Sequence, residues 1–139
     1  NYMSLMSDRT TTLMMERLRA IGARKERFSY HVRGDSYVIT DIVVAYNIDS
    51  ADGPVDLAKV LAHAVDNDSI VSGQRQPDGH VIYTSCRLFT DMQNAERFAR
   101  EQKQTSVYNW NRYAEMPIKG VVVSGSDDRE DDSDEVSGN

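Results

Sequence analysis

The residues able to do chemistry are few and widely spaced. Three histidines, His31, His63 and His80, show no short metal-ligand spacing, and the lone Cys86 excludes an internal disulfide and any multi-cysteine metal site. His63 lies beside an apolar stripe and reads as a half-buried helix residue rather than a base. Cys86 reads as a small buried hydrophobe. There is no Gly-rich phosphate loop, no Gly-x-Ser-x-Gly elbow and no His-Glu-x-x-His. The Asp- and Ser-rich stretch 47–53 lacks acids at the alternating positions a calcium loop needs. Arg33-Gly34-Asp35-Ser36 contains the adhesion tripeptide, yet without a secretion signal it reads as a turn. No nucleophile, metal or cofactor is indicated, which leaves an enzyme only the route of a site assembled over long range.

The sharper candidate is a group of aromatic and guanidinium side chains, Tyr83, Arg87, Tyr108, Trp110 and Arg112. If the last aromatic strand pairs with the hairpin before it, these five share a surface. Aromatic planes beside guanidinium groups can stack on bases and neutralise phosphates. The competing reading makes Tyr108 and Trp110 ordinary core or edge residues.

The elements that must position them follow from periodicity. Ile70–Arg75 and His80–Leu88 flank Gln76-Pro77-Asp78-Gly79, in which proline presets φ and glycine accepts φ > 0, so a β-hairpin is expected. Along its second strand Ile82, Thr84, Cys86 and Leu88 share one face, taken as the core side. Thr90 and Gln93 match a capping box, and Met92, Ala95, Phe98 and Ala99 make the stripe of a helix from about Asp91. Ser106–Asn111 reads as a strand. Upstream, Leu13, Met14, Leu18 and Ile21 keep helical spacing to Arg24. Phe28–Arg33 and Tyr37–Tyr46 surround the turn pair Gly34-Asp35 and read as a second hairpin. Pro54 suits a first helical turn, with Leu57, Ala58, Leu61, Ala64 and Val65 as the buried stripe. Met116–Val123 adds an edge strand, a role to which Pro117 confines it.

These elements predict an α+β fold: an antiparallel sheet of four to six strands from two hairpin-plus-helix units, with helices mainly on one face. Residues 1–12 are expected to be a flexible end, 13–123 one domain and 124–139 a disordered acidic tail. Of the net charge of −6, residues 127–135 carry all six units, so the remainder is neutral, with a basic stretch at residues 9–33. No apolar run reaches the ~18 residues of a membrane span. A soluble protein of a reducing, cytoplasmic compartment is expected, with no membrane partner.

The pattern of Gly73, Pro77-Asp78-Gly79, Tyr83, Phe89-Thr90-Asp91, Ala95, Phe98-Ala99, Gln104 and Ser106-Val107-Tyr108 resembles small, largely uncharacterised phage-encoded accessory proteins. It covers under a third of the chain, and Asn109 stands where those proteins have an aspartate. The resemblance implies a virus-associated binding or regulatory protein acting on a host protein in the host cytoplasm, and implies no activity. A nucleotide or single-stranded nucleic-acid binder is the alternative, and a small enzyme the second.

Overall fold

The computed structural model describes residues 7–48 and 56–121. The acidic tail, most of the Asp- and Ser-rich loop, and Pro54 lie outside the described residues. The elements run α1 (Asp8–Arg24), β1 (Arg27–His31), β2 (Ser36–Tyr37), β3 (Ile42–Ala45), α2 (Leu57–Asp66), β4 (Ile70–Arg75), β5 (Val81–Phe89), α3 (Met92–Glu101), β6 (Ser106–Asn109) and β7 (Ala114–Pro117). The fold is α+β, with seven antiparallel strands among the described residues in the order β2-β1-β4-β5-β3-β6-β7. That is one strand more than the four to six expected, and both edges are short: β2 has two residues, and β7 ends at Pro117, which has no N–H to extend a ladder, instead of beginning at Met116.

Short polar caps start each helix. Ser7 accepts the Thr10 N–H, so α1 takes in residues 8–12, which were expected to be loose. Asp56 caps α2, whose buried side is Leu57, Val60, Leu61, Ala64 and Val65; Ala58 faces out. Asp91 caps α3 by accepting the Asn94 N–H at 2.8 Å, replacing the expected Thr90–Gln93 box. An aspartate one residue later in the chain is the stronger acceptor at the positive helix end.

The first expected hairpin does not form as a long pair. Gly34-Asp35 turns the chain back only for Ser36-Tyr37, and the segment then leaves β1 to enter the sheet as β3 between β5 and β6. The reason is burial on both faces. Ile42 and Val44 pack under α3 while Val43 packs on the opposite side, and a strand buried on both faces belongs in the sheet interior, not beside an edge.

The three helices of the described residues all cover one face. Under α1 and α2 lie Leu18, Ile21, Phe28, Tyr30, Leu61, Val65 and Val71; under α3 lie Ile42, Val44, Ala95, Phe98, Ala99 and Val107. The other face is concave and holds a smaller cluster, Val43, Ile70 and Cys86 against Val38, Ala45, Tyr108 and Trp110. The expected core side of β5 is therefore corrected. Tyr83 and Ser85 face the helices, while Cys86 is buried on the concave side and Ile82 and Leu88 remain 38% exposed.

Gly73 leaves room for the Phe28 ring. It pairs with Phe28, and a Cβ there would lie 2.3 Å from the Phe28 ring. The ring lies directly on glycine backbone. Gly73→Ala should therefore destabilise the fold by about 1–3 kcal/mol through overpacking, read as a lowered denaturation midpoint at unchanged m-value. An effect within error would mean that Phe28 has room to move.

Candidate functional site

Four of the five expected site residues fall on two opposite faces, and the fifth lies in a turn. Tyr83 and Arg87 are on the helix-covered side of β5: Tyr83 packs edge-on to Phe28 at 6.4 Å, and Arg87 donates from Nε to Asp68 at 3.0 Å. The Arg87 guanidinium lies over Phe98 at 5.3 Å and near Tyr46 at 5.8 Å. Tyr108 and Trp110 are on the concave side, edge-to-face at 4.7 Å. Arg112 is exposed in the β6–β7 turn, where its backbone N–H reaches the Asn109 carbonyl at 3.2 Å. The shared surface required the last strand to pair with the β4–β5 hairpin, but β3 stands between them. The structure brings together Tyr108 and Trp110 only.

On the helix side, a polar seam separates the two cores. The Tyr46 hydroxyl donates to Asp68, which also receives Arg87. Burial and then the Asp68 carboxylate push the Tyr46 phenol up to about 12. Next to it, His63 Nδ1 and Ser85 Oγ are 2.8 Å apart. The Asn67 amide N–H donates to the His63 carbonyl at 2.8 Å, and the same amide nitrogen lies 3.4 Å from Nε2. A serine beside a histidine suggests nucleophilic chemistry. Ser85 is 0% exposed, however, and no substrate can reach its oxygen in this packing. Burial lowers the His63 pKa, against the opposing fields of Asp66 and Asp68.

The concave side contains the residues that sequence reasoning missed. Trp110 Nε1 donates to Ser29 Oγ at 3.0 Å across the curl, and its backbone N–H donates to Asp41 O at 2.8 Å. Arg27 lies 4.2 Å over the Tyr108 ring and pairs with Glu115 at 3.3 Å. Beneath that pair is a cleft of about 140 Å³, lined by Ser72, Gln74, Thr84 and Cys86 among others. Burial pushes the Cys86 thiol up, outweighing its hydrogen bonds to Ser72 and Thr84, so it stays protonated and unreactive. No local motif marks these residues, because β1, β4, β5 and β7 contribute them one or two at a time.

At the end of the sheet where β3 begins, large side chains are left in solvent. Ile39 is 67% exposed and Tyr113 is 74% exposed. Tyr113 sits 6.1 Å from Trp110, with its backbone at φ +51°. Asp41, at φ +74°, ties the two segments together by accepting from Trp110 and donating its N–H to Asn111 Oδ1 at 3.1 Å.

Among the described residues, no group of three or more His, Cys, Asp and Glu side chains is placed to hold a metal ion, and no helix is long and apolar enough to cross a membrane. No family model, curated protein or solved structure matches the chain.

His63 should make stability depend on pH. Its folded pKa lies below the unfolded value of about 6.5, so the unfolded chain binds the proton more tightly and stability falls as pH drops through and below that value. Asp35, Asp78 and Asp91, also held low by hydrogen bonds, act only in more acidic solution. Thermal melts between pH 7.5 and 5 should show a falling Tm, and His63→Gln should flatten that slope. An unchanged slope in the variant would locate the proton elsewhere.

Proposed function

We propose that this chain is a non-catalytic binding protein that acts by docking onto a folded partner protein through the end of the sheet that carries Ile39, Trp110 and Tyr113. The observation that carries this reading is Tyr113. A mostly exposed aromatic is held in the left-handed backbone region, where glycine or asparagine is the cheaper occupant. Backbone conformations of this kind cost on the order of 1–3 kcal/mol and concentrate at functional sites.

The surroundings support a protein partner. Tyrosine and tryptophan are enriched at the centres of protein interfaces, where two χ angles make them inexpensive to order. Trp110 supports the Tyr113 ring from below, and the Asp41–Asn111 and Asp41–Trp110 bonds fix the segment that carries Ile39. A preformed surface loses little entropy on binding. A polyanion is less well suited: outside residues 127–135 the chain is charge-neutral, and that segment is strongly acidic. Base stacking is also hindered. The Tyr108 face is under Arg27, and the Trp110 indole N–H is committed to Ser29. The resemblance to phage accessory proteins makes a host protein in the host cytoplasm the natural partner class.

Photo-crosslinkers at positions 39 and 113, with position 59 on the exposed side of α2 as control, should capture one protein at 1:1 stoichiometry from the two test positions only. With that protein purified, Ile39→Asp should weaken binding at least tenfold. Tyr113→Gly should weaken it similarly while leaving Tm unchanged or higher, because glycine relieves the positive φ. Affinity should change little between moderate and high salt. A steep salt dependence, together with quenching of Trp110 by oligonucleotides that Arg112→Ala abolishes, would instead establish the nucleic-acid reading.

A further inference from the structure

We propose that the concave cleft between β1 and β7 is a binding site for a small zwitterion, an α-amino acid with a short side chain. This site is distinct from the docking surface, which it adjoins through the Trp110–Ser29 hydrogen bond.

The interior of a curled sheet is ordinarily filled with apolar side chains, but here three adjacent positions across β1, β4 and β5 are Ser29, Ser72 and Thr84, in direct register. Ser29 is 1% exposed and receives the Trp110 indole N–H. Its hydroxyl lies 2.6 Å from that of Ser72. If Ser72 donated to Ser29, the hydrogen of Ser29, which is 1% exposed, would find no protein acceptor among the described residues. A buried donor avoids that state. Ser29 is therefore the donor and Ser72 the acceptor. Ser72 Oγ also receives the Cys86 S–H at 3.3 Å. Both of its lone pairs are then used, and its own hydrogen is left over. Ser72 lines the cleft and is only partly buried, so this O–H is a donor available to an occupant.

Charge selects the occupant. The mouth carries one cation and one anion, Arg27 and Glu115, 3.3 Å apart and partly exposed, and Ser106 Oγ holds the second Glu115 oxygen at 2.6 Å. A simple anion would meet the glutamate and a simple cation the arginine. A molecule carrying both signs satisfies both, with its carboxylate on Arg27 and the Ser72 hydroxyl and its ammonium on Glu115. Size restricts the class further. A space of about 140 Å³ is close to the ~150 Å³ that admits a benzene-sized guest, and is below the ~300 Å³ at which ordinary ligand pockets begin. A nucleotide would extend well beyond it. Val43 and Ala45 on the cleft wall leave apolar contact for a methyl-sized side chain.

The chain contains its own reporter, since Trp110 is joined to Ser72 through Ser29. Titration of the full chain with glycine, alanine, serine and threonine, up to about 20 mM, should give a saturable change in Trp110 emission with at least one of them. Propionate and ethylamine, each carrying half the charge pair, should bind at least tenfold more weakly. Arg27→Gln and Ser72→Ala should each weaken the response at least tenfold. Should either variant fail to fold, amide shift mapping of the wild-type chain decides: perturbations at Ser72, Thr84 and Glu115 support the site, and their absence there overturns it. No response to any of the four, an equal response to propionate, or a response that survives both variants in folded form would also overturn it.

Discussion

The curl of the sheet is the constraint on which the other features depend, and the Trp110–Ser29 hydrogen bond is its clearest expression. In the order of the sheet, β1 and β6 are separated by β4, β5 and β3. In a flat sheet at about 4.8 Å per strand, no side chain could cross that span. The indole N–H nevertheless meets Ser29 at 3.0 Å, and Arg27 on β1 reaches both Tyr108 on β6 and Glu115 on β7. A twisted antiparallel sheet closes on itself in this way when one face is crowded and the other lined by small residues. The helix-covered face supplies the crowding, and Ser29, Ser72, Thr84 and Ala45 supply the small lining.

Closure gives the two faces different physical roles. The convex side, under the helices, is where apolar burial stabilises the fold, and its two clusters meet at a seam of polar groups. Tyr46, His63, Asp68, Ser85 and Arg87 satisfy one another there, with aromatic rings of Tyr46 and Phe98 at 5.1 Å bridging the gap. The concave side is only half filled. Trp110, Val38 and Tyr108 fill one part, and beside Tyr108 a cleft remains whose walls mix hydroxyls and amides with Val43 and Ala45. Small polar side chains in a strand interior weaken packing, so their alignment across three strands has a structural consequence: it leaves space that the ion pair at the mouth only partly covers.

Strain and exposure coincide at the Trp110 end. Asp41 and Tyr113 both take positive φ, and the side chains nearest them, Ile39 and Tyr113, are among the most exposed large hydrophobics described. The hydrogen bonds of Asp41 with Trp110 and Asn111 hold this geometry against its cost. The same tryptophan that closes the curl therefore also supports the surface beyond it, which couples the integrity of the sheet to the shape of that surface.

The sequence by itself determined the local elements. Alternation, capping residues and turn residues marked both strands of the β4–β5 hairpin, the stripe of α3, the aromatic strand β6 and the confinement of the Pro117 segment to an edge, because each is specified by neighbours within a few residues. The α+β class followed from their order. Only the tertiary structure decided which strands meet. Ile42-Val43-Val44 looked like half of a hairpin, yet burial on both faces drew it between β5 and β6, and that single insertion moved Tyr83 and Arg87 to the face opposite Tyr108 and Trp110. The roles of Ser29, Ser72, Arg27 and Glu115 were equally unreadable. Contacts such as Trp110 to Ser29, 81 residues apart, and Arg27 to Glu115, 88 apart, arise from sheet curvature, which is a property of the whole packed assembly and leaves no periodic trace along the chain.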